Sequence, residues 1–569
     1  MKRINPIDTF CIIFAIMLLI IQIYTHLSVL DFDNYFISKC SIIKMLLSVI
    51  IETAIIVTPC LFLQRFFKQY IIFSTIILLI IAITNVLYSR VFHCYFPITM
   101  ANEIQNLNGL SNSIFSLITT FDLLLLIVVL GFIIYIIYYP PLPDNTNFKI
   151  NVKFSILILP IIILLELFST YGAFTYKALI PSRIKHTVRE EFSLYNYDKE
   201  LYLFRNGLIH TYMRDLLNLV FYQNIKLNRT EIQEINNSIQ RKYTETNQKI
   251  ENCIFIIVES LMSFPIDLQI DGIEITPNLN KLKKIGYYND NMISQIEKGM
   301  SSDGQFIYFT GLLPHKDKTT IVDYTHNKYY GLGEYAQQKG MNTVMIVPTT
   351  KTFWKQDKAC ELYGINRLWG KEDYHCVDEN SHIKEWLSDE QIFNFSRWIC
   401  EHESNPFFLT ILTVSMHMPY YNKFEYKRIN IDNSNYSNEY INYLQKINYT
   451  DYHIGLFIDY LKKNGLFEKT AIVIASDHKI PIQFKETKSD YMPLFLINCD
   501  KPFCKRIIGQ ADLYPTILDI FNVSNTSWRG IGYSLYTCDT IKMISIQQQS
   551  NISNLILESN HFNIDNKFE

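Results

Sequence analysis

Three short runs in the second half of the chain combine residue types that bind metals and attack phosphorus. Ile256-Ile257-Val258 leads into Glu259-Ser260, and Ala475 is followed by Ser476-Asp477-His478. Between them lies Gly299-Met300-Ser301-Ser302-Asp303-Gly304, a turn entering the apolar stretch from Phe306 to Leu312. Two carboxylates, an imidazole and a hydroxyl make an oxygen and nitrogen donor set, hard to borderline in character. It suits one divalent ion, Mn2+ or Zn2+, with Mg2+ as a third choice. A hydroxyl sharing that ion at a helix start is an activated nucleophile, because the metal lowers its pKa and the first helical N–H groups hold an incoming phosphate. Each run alone is common by chance. Their placement at element ends gives them joint weight.

The elements that must position these residues are readable from hydropathy. Cys253–Val258 is a continuous apolar run, followed by a helical pattern near 276–285. Further apolar runs fall at Thr343–Val347, Phe407–Val414, Ala471–Ala475 and Leu494–Ile497, separated by helical patterns near 331–339, 438–464 and 511–521. Unbroken Ile/Val/Phe runs alternating with helices predict a mostly parallel sheet covered on both faces. In such sheets, sites gather beyond the carboxyl ends of the strands, where Glu259, Asp477 and His478 fall.

The first third of the chain has a different character. Five windows, about 10–30, 45–63, 70–89, 114–139 and 154–173, are long and apolar enough to cross a bilayer core of roughly 30 Å. Lys2 and Arg3, then Arg65 and Lys68, then Lys149 and Lys153 alternate with loops carrying only Lys39 and Arg90. The basic loops predict the cytoplasmic side, and an odd number of spans puts everything after about residue 175 across the membrane. Glu52, Asp122 and Glu166 interrupt the apolar windows. A pairing of Glu52 with a neighbouring Lys or hydroxyl stands against a role in a lipid or proton path. The chain therefore reads as a five-helix transmembrane block over 1–175 and a juxtamembrane linker over 176–250. A catalytic α/β domain over 251–540 and a tail over 541–569 follow. With 569 residues and a net charge of −2, the sequence offers no basic excess for nucleic acid. Its eleven cysteines show no C-x-x-C pair, and Cys360/Cys376 or Cys499/Cys504 are candidate disulfides outside the cytoplasm.

The motifs I-I-V-E-S-L (256–261), T-P-N-L-N-K-L (276–282), G-M-S-S-D (299–303), T-V-S-M-H-M-P-Y (413–420) and A-S-D-H (475–478) resemble those of the sulfatase/alkaline phosphatase superfamily. Within it the chain looks most like the lipoteichoic acid synthase branch, whose members carry five spans and an extracellular catalytic domain. Y-x-D-x-x-I-G-x-F-I-x-x-L (449–461) and A-D-L-Y-P-T-I-L-D (511–519) add to the likeness. The resemblance implies a phospholipid donor whose phosphorylated head group passes to a hydroxyl and then to a lipid or glycan acceptor of the cell envelope. It places the nucleophile on Ser301, metal ligands on Glu259, Ser301, Asp477 and His478, and a substrate contact on His417. Trp354 and Lys355 fall in Phe353-Trp354-Lys355-Gln356-Asp357, where the family has F-W-N-R-D. Gln356 thus replaces an Arg, Ser301 a Thr, and Ile346-Val347-Pro348-Thr349 an F-H-G-N run.

Three readings stay open at this stage: a phosphoglycerol or phosphoethanolamine transferase, a membrane-anchored sulfatase or phosphodiesterase, and an inactive scaffold. A formylglycine sulfatase needs C/S-x-P-x-R, but counting from Ser301 the proline and arginine places hold Asp303 and Gln305. Ser302 competes with Ser301 as nucleophile or else caps the helix, with Asp303 adding charge at its N-terminus. Trp354 is either a wall of the head-group site or plain core packing.

Overall fold

Spans of about twenty apolar residues fold as helices in lipid because every backbone polar group must bond within the segment. In the computed structural model four helices meet that requirement among the described residues. They are α1 (Pro6–Val29), α2 (Lys39–Val57), α3 (Phe67–Phe92) and α4 (Thr120–Tyr138). Described are residues 6–29, 39–61, 66–92, 95–101, 111–138, 199–221 and 225–565, the last except 240–249, 317, 380–385, 404–405, 422–423, 432–434, 503–505, 524–528 and 538–544. The expected fifth span at 154–173, with Glu166, lies outside them. The fourth starts at Thr120 rather than 114. There Asp122 accepts the Thr119 N–H at 2.6 Å as an N-terminal cap and pairs with Arg90 at 2.6 Å.

Two further helices, α5 (Lys199–Asn206) and α6 (Leu208–Phe221), belong to the same compact unit as the spans. Glu52 on α2 accepts the N–H groups of Leu208 at 3.2 Å and His210 at 3.0 Å, the opening amides of α6. The sequence suggested a Lys or hydroxyl partner. The carboxylate serves the opening amides and positive end of a helix dipole. Gly207, at φ +97°, makes the approach feasible, since a Cβ there would stand 2.4 Å from Glu52 Oε1.

The second unit, 102–113 with 223–569, is built on an eight-stranded sheet. Helix α7 (Arg229–Ile239) precedes β1 (Asn252–Val258), α8 (Pro277–Ile285), β2 (Tyr287–Ile293) and α9 (Ser301–Thr310). Next come β3 (Asn342–Ile346), β4 (Arg367–Trp369), α10 (Asp389–His402), β5 (Phe407–Leu412) and α11 (Asn438–Lys463). The chain continues through β6 (Thr470–Ser476), β7 (Met492–Ile497), β8 (Ile508–Gly509), α12 (Leu513–Phe521) and α13 (Ile546–Ser559). Strand order is β8-β2-β7-β6-β1-β5-β3-β4. Every residue of β1, β5 and β6 is buried, as both-faced coverage of a parallel sheet demands. Only β7 breaks the direction, pairing antiparallel with β6 and β2. It follows β6 through a loop with no crossover helix, so it must return antiparallel.

The expected linker divides. Its helices α5 and α6 go with the spans, while α7 packs on α13. Helix α13, in the segment expected as a tail, is tied to the domain: Ser553 Oγ accepts the Leu313 N–H at 3.0 Å, and the Leu557 carbonyl accepts from Asn327 Nδ2 at 2.6 Å. The Cys360–Cys376 pairing does not form. Cys360 is buried beside Met345, Cys376 is exposed, and both are free thiols. Cys499 is also free, and Cys504 lies outside the described residues.

Candidate active site

Strands β1 and β6 are neighbours in register, Val258 opposite Ser476, so the residues just past their ends emerge side by side. They are Glu259 and Asp477. Ser260 turns the chain at φ +51°, giving its N–H to Asp477 Oδ1 at 2.8 Å and its hydroxyl to Glu259 Oε1 at 2.9 Å. The His478 N–H also reaches Asp477 Oδ1, at 2.7 Å. Both carboxylates are thereby aimed before any ligand arrives. Ligand atoms of Glu259, Asp477 and His478, all buried, lie within 4.8 Å of one another.

His478 completes the set through its tautomer. Its Nδ1 lies 2.7 Å from the Lys479 carbonyl, which assigns the proton there and leaves Nε2 as a lone-pair donor. That Nε2 stands 3.5 Å from Glu259 Oε1, 3.5 Å from Asp477 Oδ2 and 3.2 Å from Ser301 Oγ. The Ser301 hydroxyl donates to Glu259 Oε2 at 3.2 Å. Burial, then the charge of Glu259, pushes the Asp477 carboxyl up to about 7. Burial acts to lower the His478 imidazole, yet Asp477 and Glu259 hold it above its usual value. Two buried carboxylates crowded on one imidazole repel each other. A divalent cation removes that conflict, so the donor set fits the expected ion.

Helix α9 delivers Ser301 as its first residue. Met300 precedes it at φ +48°, and the helix runs so close to β6 that a Cβ on Gly304 would stand 2.2 Å from the Asp477 carbonyl oxygen. Ser302 does not cap the helix as the sequence suggested. Its hydroxyl donates to the Gly299 carbonyl at 2.7 Å, because the chain enters from a tight turn and the cap position is Met300. Asp303 is fully buried and ties the incoming loop, accepting the N–H groups of Glu297 at 3.0 Å and Gly299 at 2.7 Å. Burial pushes its carboxyl up to about 7.

His417 sits on the turn after β5. Thr413 in that segment accepts the Glu259 N–H at 3.1 Å, and Asp389 accepts the N–H groups of Val414 and Ser415, each at 2.9 Å. Nδ1 of His417 lies 2.7 Å from the Met418 carbonyl, and desolvation pushes the ring down to about 4. Trp354 and Lys355, at φ +50° and +49°, lie further along a row of rings. His417 meets Trp386 at 5.0 Å, Trp386 meets Phe353 at 6.1 Å, and Phe353 meets Trp354 at 6.5 Å. Lys355 Nζ reaches the Val322 carbonyl at 3.2 Å. Gln356 is buried against Gln305 at 2.7 Å, which accounts for both amides together.

Sequence reasoning missed Trp386, Tyr420 and Lys446. Tyr420 belongs to a quoted motif, and its buried hydroxyl is close enough to feel Glu259 and Asp477. Lys446 lies midway along α11 with an ammonium that burial pushes down to about 8, against the opposing pull of Glu259 and Asp389. Nothing in the helical pattern marks Lys446.

Residues 251–523 match the sulfatase family. The chain is 27% identical over 369 residues to lipoteichoic acid synthase 2 of Bacillus subtilis (strain 168), covering 58% of this chain and 56% of that one. It is 26% identical over 341 residues to the lipoteichoic acid synthase of Staphylococcus saprophyticus subsp. saprophyticus, covering 55% and 52%. The chain thus spans little more than half the length of these relatives. The solved structure of the integral membrane lipooligosaccharide phosphoethanolamine transferase A (EptA) from Neisseria meningitidis superposes with a TM-score of 0.55 at 12% identity, covering 91% of this chain and 96% of that one. At that identity the likeness is one of fold: a helical membrane block together with a mostly parallel α/β domain. Residues 251–523 thus resemble the sulfatase family, on a chain whose N-terminal part carries four described helices long and apolar enough to cross a membrane.

Proposed function

We propose that the chain is a metal-dependent transferase that moves a phosphorylated head group, phosphoglycerol or phosphoethanolamine, from a phospholipid to an acceptor hydroxyl of the cell envelope. The observation that carries this reading is Ser301 Oγ, 3.2 Å from both Glu259 and His478 at the first turn of α9. Glu259, Asp477, His478 and the Ser301 oxygen would hold one divalent ion, Mn2+ or Zn2+. When bound, that ion stabilises the serine alkoxide and the charge developing on phosphorus.

The hydroxyl proton of Ser301 leaves toward the Glu259 carboxylate. Oγ then bonds to phosphorus, the phosphorus–oxygen bond to the lipid breaks, and the proton held by Glu259 passes to the departing alkoxide, which leaves as neutral diacylglycerol. An acceptor hydroxyl attacks the serine phosphodiester in turn, its proton passes to a base of the site, and Ser301 leaves phosphorus and regains a proton. His417 is neutral at physiological pH with its proton on Nδ1, so Nε2 is an acceptor. It suits the hydroxyl of a head group or acceptor and can take that hydroxyl's proton. The row of His417, Trp386, Phe353 and Trp354, with Lys355, forms the substrate wall. The basic-loop pattern predicts this domain on the extracytoplasmic side, and a covalent tie to apolar spans raises its effective concentration toward a lipid donor.

The test is intact-protein mass spectrometry after incubation with phosphatidylglycerol or phosphatidylethanolamine vesicles and Mn2+. The adduct mass names the head group. Ser301→Ala removes the adduct and lowers turnover by several orders of magnitude, whereas Ser302→Ala keeps both. Turnover persisting in Ser301→Ala without any adduct would make the enzyme a hydrolase using activated water.

A further inference from the structure

One face of α11 grips the whole 413–420 segment. Asn442, Lys446 and Thr450 are spaced i, i+4 and i+8 and so form a single stripe. Asn442 Nδ2 donates to the Tyr420 carbonyl at 2.6 Å. Lys446 Nζ donates to the His417 carbonyl at 2.5 Å and to the Pro419 carbonyl at 3.4 Å, and lies 5.3 Å from the centre of the Tyr420 ring. The Thr450 hydroxyl donates at 2.6 Å to Asp389 Oδ2, while the other oxygen of that carboxylate holds Val414 and Ser415.

We infer that Lys446 is a positioning residue for the transfer, holding the His417 turn at working distance from the Glu259–Ser301–His478 cluster. Burying an ammonium costs free energy that hydrogen bonds to neutral carbonyls only partly offset. A Leu or Met would fill the same space more cheaply. What the Lys supplies instead is a two-point tie across the middle of the turn, at the His417 and Pro419 carbonyls. The charged and titratable groups around it are Glu259 at the end of β1, Asp389 at the start of α10, and His417 and Tyr420 on the turn itself.

This inference rests on the reading of His417 as a substrate-contacting residue, and a double-mutant cycle separates the two. Full-length protein in phosphatidylglycerol vesicles with Mn2+ is assayed for diacylglycerol release, metal content and amide exchange over 413–424. Lys446→Met is expected to lower kcat by about 10–100-fold, the loss typical of a misplacement near 1 Å. KM stays within about twofold, metal content stays at the wild-type level, and exchange accelerates over 413–424. Lys446→Arg recovers most of the rate and the protection. In a His417→Ala background Lys446→Met adds no further loss, whereas a merely structural role adds its full effect. Full turnover in Lys446→Met while His417→Ala is impaired overturns the inference alone. Full turnover in His417→Ala overturns the reading of His417 beneath it. Unchanged amide exchange in Lys446→Met overturns the inference whatever substrate the enzyme uses.

Discussion

The closeness of α9 to β6 makes Gly304→Ala the sharpest single perturbation of the site. An added Cβ would stand 2.2 Å from the Asp477 carbonyl oxygen, 2.9 Å from its carbon and 3.1 Å from its Cα. All three atoms are backbone, so no side chain can swing away. Restoring an ordinary contact of about 3.4 Å moves the helix start or the strand end by roughly 1.2 Å. Ser301 rides on that helix and Asp477 and His478 directly follow that strand, so the shift stretches the 3.2 Å approach of Ser301 Oγ to His478 toward about 4.4 Å. Displacement of that size at a reacting group costs on the order of 100-fold in rate, and overpacking costs about 1–3 kcal/mol of stability. Diacylglycerol release, bound metal and melting midpoint measured on the same preparation would show a large rate loss with a midpoint lower by only a few degrees. Gly131→Ala is the control, since nothing lies within 4 Å of that position. A Gly304→Ala protein with wild-type rate and midpoint would refute the packing argument and the placement of Ser301 with it.

Three other outcomes follow from the same geometry. Glu259→Ala, Asp477→Ala and His478→Ala each lose tightly bound metal while the sheet stays folded, and unchanged elemental analysis in all three would sink the ligand assignment. Asp303, raised to about 7 in the folded state, favours the metal-free fold below the ordinary carboxyl pKa near 4 and loses that contribution as pH rises toward 7. The whole contribution is about 4 kcal/mol, so Asp303→Asn should flatten denaturation midpoints between pH 4 and 7. Parallel slopes for wild type and variant would contradict the burial argument. Cysteine labelling should place residues 141–153 in the cytoplasm and residue 300 outside, and a cytoplasmic residue 300 would remove the lipid-donor reading.

The parts of the fold legible in sequence are those whose signal is local. Strands β1, β5 and β6 are buried at every position and read as plain apolar runs. Their ends carried Glu259, Asp477 and His478, which is why the ligand cluster was legible too. Strand β2, Tyr-Tyr-Asn-Asp-Asn-Met-Ile, was not, because Asn and Asp disfavour strands and its burial does not alternate cleanly. Strand β4 has three residues, too few for any period. Helix α10 carries a local signal in its capping box, Ser388 with Gln391. Ser302 shows the reverse error: a serine near a helix start suggests a cap, but a backbone turn at Met300 decides where the helix begins. Lys446 and Trp386 were invisible for another reason. Their importance lies in what they touch, and those partners are about thirty residues away in sequence.

The Glu52 contact bears on how the membrane block assembles. An acid at the centre of a span costs about 2.5–3.5 kcal/mol at insertion. Relief comes from amides 156 and 158 residues further along, which reach the ribosome exit long after α2 has entered the bilayer. Until α6 docks, Glu52 lacks those two hydrogen bonds. Docking of α6 therefore acts as a late latch on the bundle. A fragment cut after the apolar windows, the natural choice for isolating the anchor, would leave that latch open and should insert less completely than the full chain.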